Sequence, residues 1–185
     1  MKVQATALAN AFIIDPVKFE DDRGFFTEAW KQDVATQYGI VDVFTGTNIS
    51  SNRYKGTLRG LHAQKAPHAQ AKLVRCVKGA ILDVIVDVRP ESPTYCQWIA
   101  VELTADNLRT LYVPTGFLHG FQTLVDDTTV LYQVSAPYHP QSETGARFDD
   151  PAFGIEWPDA STRILSDKDQ CWPRFEKTLT AVSSI

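Results

Sequence analysis

Cysteine is scarce in this sequence: Cys76, Cys96 and Cys171 are the only ones in 185 residues, widely spaced and without a CxxC pair. So odd and scattered a set provides neither a disulfide framework nor a zinc site of thiolates, and it suits a reducing compartment. A charged leader followed by an apolar run is missing, and no stretch approaches the length of a membrane-spanning helix. The expectation is a cytoplasmic protein with no membrane partner. A basic excess is missing too. With a formal net charge of -4 and a pI near 5.5, the chain has no broad cationic face for nucleic acid, so an anionic ligand must be met by a few local cations. Linker-like stretches and internal repeats are also absent. One domain over 1–185 is expected, with a barrel core over about 45–140 and a C-terminal segment, 141–185, packed on it.

Helix signals are few, confined to Trp30–Tyr38 and a turn capped near Ser166-Asp167-Lys168-Asp169. What the chain has instead is strands. A short apolar one lies around Phe12–Ile14, and from Thr57 onward short runs rich in Val, Leu and Thr alternate with Gly, Pro, Asn and Asp. The clearest hairpin joins Ala71–Val77 to Ala80–Arg89 through Lys78-Gly79, where glycine supplies the positive φ of a tight turn. In its second strand Leu82, Val84, Val86 and Val88 make an apolar face, while Ile81, Asp83, Ile85, Asp87 and Arg89 make a mixed one. Further strands are expected at Trp98–Leu103, Arg109–Val113, Gly120–Val125 and Thr129–Ser135. This spacing predicts an all-β, cupin-type jelly-roll barrel with a few short helices.

The densest polar run is Leu58-Arg59-Gly60-Leu61-His62-Ala63-Gln64, followed by His68, Gln70 and Lys72. Strict alternation puts Arg59 and His62 on opposite faces, so the run is polar on both sides, as a cavity wall or a solvated sheet edge would be. A second run, Pro114-Thr115-Gly116-Phe117-Leu118-His119, has the PxGxxH spacing with which cupin barrels aim a histidine inward; a structural histidine after a turn fits equally. Metal-binding cupins add an HxH pair and a Glu. Here His62 and His68 lie six positions apart with no suitably placed Glu, so no metal is expected. Lys72, a poor ligand but a good partner for an oxyanion, tilts the region toward proton chemistry.

Together these runs resemble the dTDP-4-dehydrorhamnose 3,5-epimerase family. The resemblance rests on Asp22-Arg23-Gly24-Phe25-Phe26-x-Glu28, Asn48-x-Ser50, Leu58-Arg59-Gly60-Leu61-His62-x-Gln64, Ala71-Lys72-Leu73-Val74, and Val86-Asp87-x-Arg89. It continues through Ser92-Pro93-Thr94, Pro114-x-Gly116-Phe117-x-His119-Gly120-Phe121, Tyr132, Tyr138-x-Pro140, Asp149-Asp150-Pro151, Trp157-Pro158 and Leu165-Ser166-x-Lys168-Asp169. These motifs keep one order from about Ile14 to Asp169, which is far more specific than any of them alone.

The resemblance implies a cofactor-independent isomerase that inverts C3, C5 or both, beside the C4 ketone of a dTDP-linked 4-keto-6-deoxy sugar. It implies His62 as base with Asp169 behind it, Lys72 as stabiliser of the enolate oxygen, and Tyr132 as the acid on the other side of the ring. Read alone, Tyr132 could equally be a core tyrosine. Asp83 is expected to orient Lys72. By the same resemblance Arg23 and Arg59 meet the diphosphate, Glu28 addresses the base edge, Tyr138 stacks on thymine, and Asn48, His119, Glu143 and Lys168 complete the ligand shell. Arg23 and Glu28 would serve the neighbouring subunit's site, which implies a homodimer. The chain departs from the family at Gly46 and Thr47, where Gln and an acidic or apolar residue are usual, and at Ala63, where an aromatic is common. These departures bear on the nucleotide, sugar or regiochemistry. A single-centre epimerase on a related nucleotide sugar, a metal-dependent cupin enzyme and a non-catalytic sugar-binding barrel are the alternatives.

Overall fold

The computed structural model describes residues 1–159 and 163–177; residues 160–162 and 178–185, which belong to the expected C-terminal segment, lie outside the described residues. Two antiparallel sheets face each other as a cupin-type jelly roll. The first carries β1 (Lys2–Ala5), β2 (Phe12–Asp15), β5 (Gly46–Asn52), β7 (Lys72–Lys78), β10 (Thr110–Val113) and β12 (Thr128–Val134), in the order β1-β2-β10-β7-β12-β5. The second carries β6 (Leu58–Gln64), β8 (Ala80–Asp87), β9 (Trp98–Thr104), β11 (Phe117–Thr123) and β13 (Glu143–Gly145), in the order β13-β6-β11-β8-β9. A separate hairpin pairs β3 (Lys18–Asp21) with β4 (Gly24–Thr27). Helix is limited to α1 (Gln32–Thr36) and α2 (Asp167–Gln170), with one 3-10 turn at Pro140–Ser142.

The alternation of β8 explains how the layers pack. Ile81 and Ile85 enter the cluster between the sheets with Val74, Leu111, Phe117 and Val130. Val84 and Val86 face outward, where Phe153, Trp157 and Phe175 of the C-terminal segment cover them. The outer face of the larger sheet is covered through Ile14, Leu73 and Tyr112 by α1 and the loop around Ile40. Burying the polar members of the mixed face is costly unless each finds a partner. Asp87, with no exposed surface, receives bonds from Arg89, Ser92 and Thr94, and Arg89 also reaches the Ala9 carbonyl at 2.8 Å. The run Ser92-Pro93-Thr94 is therefore a carboxylate cradle that ties the end of β8 to the N-terminal segment.

Three parts of the chain differ from the sequence expectation. β1, β5, β13 and the β3–β4 hairpin are additional strands; Lys18–Thr27 and Gly46–Asn52 carry polar or exposed residues that mask their extended pairing. The helix expected over Trp30–Tyr38 shortens to Gln32–Thr36, with Lys31 in extended conformation before it. The strict alternation expected for β6 also fails. His119 pairs with His62 and Phe121 with Arg59, so two steps along β11 match three along β6. This bulge turns Arg59 and His62 to the same side. It sits where Gly60, at φ +117°, packs against Gly120 so closely that a Cβ would lie 2.5 Å from the Gly120 Cα.

Candidate active site

Two clefts of about 370 and 520 Å³ open between the sheets and share His62, Lys72 and Tyr132. His62 comes from β6 in the smaller sheet, whereas Lys72 on β7 and Tyr132 on β12 come from the larger one. Imidazole and phenol thus project from opposing walls. Arg59, His119 and Ser50 line the first cleft; Asn48, Tyr138 and Glu143 line the second.

His62 Nε2 lies 2.7 Å from Asp169 Oδ1, and Asp169 is 5% exposed. Its carboxylate is held in place by a short helix whose N-cap, Ser166, accepts the Asp169 N–H at 3.1 Å. Burial opposes ionisation of Asp169, but the hydrogen bond and charge of His62 outweigh it and keep this carboxyl below its ordinary value. With Nε2 committed to a carboxylate, Nδ1 is the nitrogen left for a ligand; no described residue occupies it.

Lys72 opens partly to the clefts but is enclosed by protein, and its ammonium makes no hydrogen bond or ion pair with a described residue. Burial pulls its ammonium pKa down to about 8, against the upward pull of the Asp83 and Glu143 carboxylates. Asp83 was expected to orient Lys72; its hydrogen bond goes instead to His119 Nε2, at 2.8 Å, and it acts on Lys72 only through space. His119 is itself buried, which pulls its pKa below the usual imidazole range despite the Asp83 carboxylate beside it. Burial likewise raises the phenol pKa of Tyr132, with Arg59 opposing, so the hydroxyl stays protonated at neutral pH.

At the mouth of the second cleft the Glu143 carboxylate accepts from the Tyr138 hydroxyl at 2.9 Å and from the Lys168 ammonium. Burial opposes its ionisation, and the bonds from Lys168 and Tyr138 outweigh that and lower its pKa. The Tyr138 ring is 61% exposed, a flat surface available for stacking. Arg59 donates through Nε to Asn52 at 2.8 Å, leaving the rest of its guanidinium free toward the first cleft.

The structure does not bring Arg23 and Glu28 to either cleft. Arg23, its side chain 89% exposed, pairs with Asp21 at the tip of the β3–β4 hairpin, and Glu28 pairs with Lys31 at 2.8 Å. His68 is likewise outside, stacked on His139 with ring centroids 3.8 Å apart. Sequence reasoning missed Trp172, whose indole lies 6.2 Å from the His62 ring between centroids. Nothing in its local sequence marks it, since its place depends on how the tail returns to β6. Among the described residues no three of His, Cys, Asp and Glu converge as a set that could hold a metal ion.

A jelly roll with an imidazole–carboxylate pair, an ammonium and a phenol around one cleft belongs to the class of barrel isomerases. The family model for dTDP-4-dehydrorhamnose 3,5-epimerase matches residues 5–177, and the chain belongs to that family. A dTDP-4-dehydrorhamnose 3,5-epimerase of Sinorhizobium fredii is 45% identical over 94% of this chain and 89% of its own length. The Bacillus anthracis dTDP-4-dehydrorhamnose 3,5-epimerase, solved with TDP and PPi bound, superposes with a TM-score of 0.91 at 45% identity, covering 94% of this chain and 99% of that one. The Legionella pneumophila dTDP-6-deoxy-D-glucose-3,5-epimerase, solved with dTDP-4-keto-L-rhamnose, has a TM-score of 0.87 at 36% identity, covering 95% and 98%.

Proposed function

We propose that the protein is an isomerase that epimerises a dTDP-linked 4-keto-6-deoxyhexose at C3 and C5, in the biosynthesis of dTDP-L-rhamnose or a related deoxysugar. A C–H bond beside a ketone becomes acidic because the electron pair left behind delocalises onto oxygen as an enolate. The chemistry asks for a base, a stabiliser of the oxygen and an acid on the other face of the ring. His62, Lys72 and Tyr132 fill these roles in this reading, and no cofactor is required. The observation that carries it is that all three line both clefts, with base and phenol on opposing sheets. Asp169 then fixes the tautomer of His62 and stabilises the imidazolium it becomes.

The ligand bound in the Legionella relative supports the sugar, and the TDP in the Bacillus relative supports the nucleotide. In this chain Arg59 would take the diphosphate as a fork, Tyr138 would stack on thymine, and Asn48, His119, Glu143 and Lys168 would complete the shell. Arg23 and Glu28, remote from their own clefts, would be delivered to the neighbour in a homodimer. The hairpin that carries Arg23 also exposes Phe19, Phe25 and Phe26 at 58%, 52% and 66%, apolar surface that a partner subunit would cover. A cytoplasmic location belongs to the same reading, and no described helix is long and apolar enough to cross a membrane.

Incubation of the protein with dTDP-4-keto-6-deoxyglucose in deuterated water tests the reading. Solvent deuterium is expected at C3 and C5 of the recovered sugar. Absence of label from both carbons would reject it, and label at one carbon alone would reduce it to a single-centre epimerase.

A further inference from the structure

α2 brings Asp169 to His62, yet it is only four residues long, and a single helical turn has little stability of its own. How well the carboxylate is placed therefore depends on what fastens the turn to the barrel. Upstream, Ile164 bridges to Thr57, and its carbonyl accepts the Leu58 N–H at 2.8 Å. Downstream, the Phe175 N–H donates to the Asp150 carboxylate at 2.6 Å, and the Phe175 ring packs on the outer face of the smaller sheet. Between these ties the Lys168–Glu143 ion pair is exposed on its lysine side and the Arg147 bond to the Gln170 carbonyl lies at the surface, so both hold the turn weakly.

The large side chain in this stretch is Trp172, three positions after Asp169. Its ring makes a tilted contact with the His62 ring, with centroids 6.2 Å and planes 56° apart. The same ring covers Gly145, the register partner of His62 on β13, so closely that a Cβ there would lie 2.6 Å from two indole carbons. The indole lines neither cleft. Its Nε1–H is buried without a hydrogen-bond partner among the described residues, which costs stability, so packing rather than a polar contact holds the ring in place.

We propose that Trp172 is a positioning residue for the base: by packing on the His62 ring and on Gly145 it holds the Asp169 carboxylate against Nε2 and keeps water from the pair. The proposal rests on the epimerase reading above. A hydrogen bond alone leaves the imidazole free to swing about the line from Nε2 to Oδ1. A ring packed beside it removes that freedom, so Nδ1 keeps one direction into the cleft. Excluding water also strengthens the attraction between the imidazolium and its carboxylate, because less solvent screens it. Both effects act on proton transfer. Nucleotide binding at Tyr138 and Glu143 is largely independent of the indole: the Lys168 ammonium, 5.9 Å from its centroid, is held by Glu143.

The test measures the rate of deuterium uptake into saturating dTDP-4-keto-6-deoxyglucose, together with TDP affinity, in the full-length protein and its variants. Trp172→Ala is expected to lower the saturated rate by about tenfold or more while TDP affinity stays within about threefold of the parent. Trp172→Phe, which keeps an aromatic face and discards the unpaired N–H, is expected to restore the rate to within about threefold of the parent. In an Asp169→Asn background Trp172→Ala should cost less than about twofold further, because the carboxylate it positions has gone. If Trp172→Ala loses TDP binding and fold, Trp172→Leu replaces it in each comparison; loss of fold in both would make the indole a stability element and overturn the proposal. So would an unchanged rate in Trp172→Ala, a defect confined to TDP affinity, or the same loss with and without the Asp169 carboxylate. A parent protein that incorporates no label would instead reject the epimerase reading itself.

Discussion

His62 Nε2 and Asp169 Oδ1 are 2.7 Å apart although 107 positions separate them in the chain. The pair links a central strand to the C-terminal tail, so in the proposed reaction the tail takes part in the cleft's chemistry as well as covering the sheet. Replacing Asp169 by Asn removes the charge that stabilises the imidazolium and fixes its tautomer. Turnover should fall by about 10²- to 10⁴-fold with the circular dichroism spectrum unchanged. An Asp169→Asn protein as active as the parent would break the proposed link between the tail and the base.

Tyr132 offers a cleaner separation of steps. Phenylalanine there keeps the ring and its packing but has no proton to give. Exchange of the sugar's α-hydrogen should continue through return of the proton to the same face, while inverted product drops by about 10²-fold or more. Nuclear magnetic resonance of the recovered sugar distinguishes label with retention from label with inversion. Undiminished inversion would remove the phenol from the mechanism.

In the proposed reaction Lys72 sets the alkaline limit. Its ammonium, with a pKa pulled down to about 8 by burial, is charged below that pH and loses its charge above it, so turnover should decline through pH 8. The sign for stability is the reverse of the usual lysine case. A lysine whose folded pKa is lowered costs the fold stability wherever it is charged, and this cost fades as pH rises from about 8 toward its unfolded value near 10.5. Lys72→Met should therefore be inactive yet melt higher than the parent at pH 7, with the gain shrinking by pH 10. A lower melting temperature at pH 7 would argue against an enclosed ammonium.

Asp87 probes the fold without touching the clefts. Burial alone would raise its pKa, but the bonds from Arg89, Ser92 and Thr94 prevail and lower it. Its contribution to stability is thus complete above the unfolded value of about 4 and is lost as pH falls through the lower folded value. Asp87→Asn leaves Arg89 with a weakened partner in a buried network and should cost about 3 kcal/mol in urea unfolding at pH 7. The difference from the parent should narrow below about pH 4.

Arg23 tests the proposed homodimer. Mixed and refolded Arg23→Ala and His62→Ala chains, each nearly inactive alone, should regain about a quarter of parental activity, because half of the dimers are mixed and each of those rebuilds one intact site of two. No recovery would place Arg23 in its own subunit's chemistry, and an Arg23→Ala chain fully active alone would place it in none.

Much of the site was legible beforehand because its residues lie in short motifs whose spacing reflects local geometry. His62 and Lys72 stand out because they belong to the densest polar run in the chain, and the PxGxxH spacing picks out His119, whereas Tyr132 taken alone reads equally as a core tyrosine. Strands with polar outer faces were harder: β5 and the β3–β4 hairpin look like loops because their stability comes from ladder hydrogen bonds and neighbours, which composition does not record. Asp83 was assigned to the right face and the wrong partner. Alternation fixes the side of the strand a carboxylate occupies, but its partner depends on which strand lies beside β8, and that strand is β11.

The sequence by itself determined the strand-rich architecture, the family and the identity of the groups available for proton transfer, because these depend on side-chain type, period-two patterning and motif order. Only the tertiary structure decided that Arg59 and His62 share a face, that Asp169 reaches His62, and that His119 stands beside His62 with its own carboxylate. Those relations arise from a bulge and from contacts between distant segments, and a bulge or a long-range contact is settled by the packing of the whole barrel rather than by neighbours along the chain.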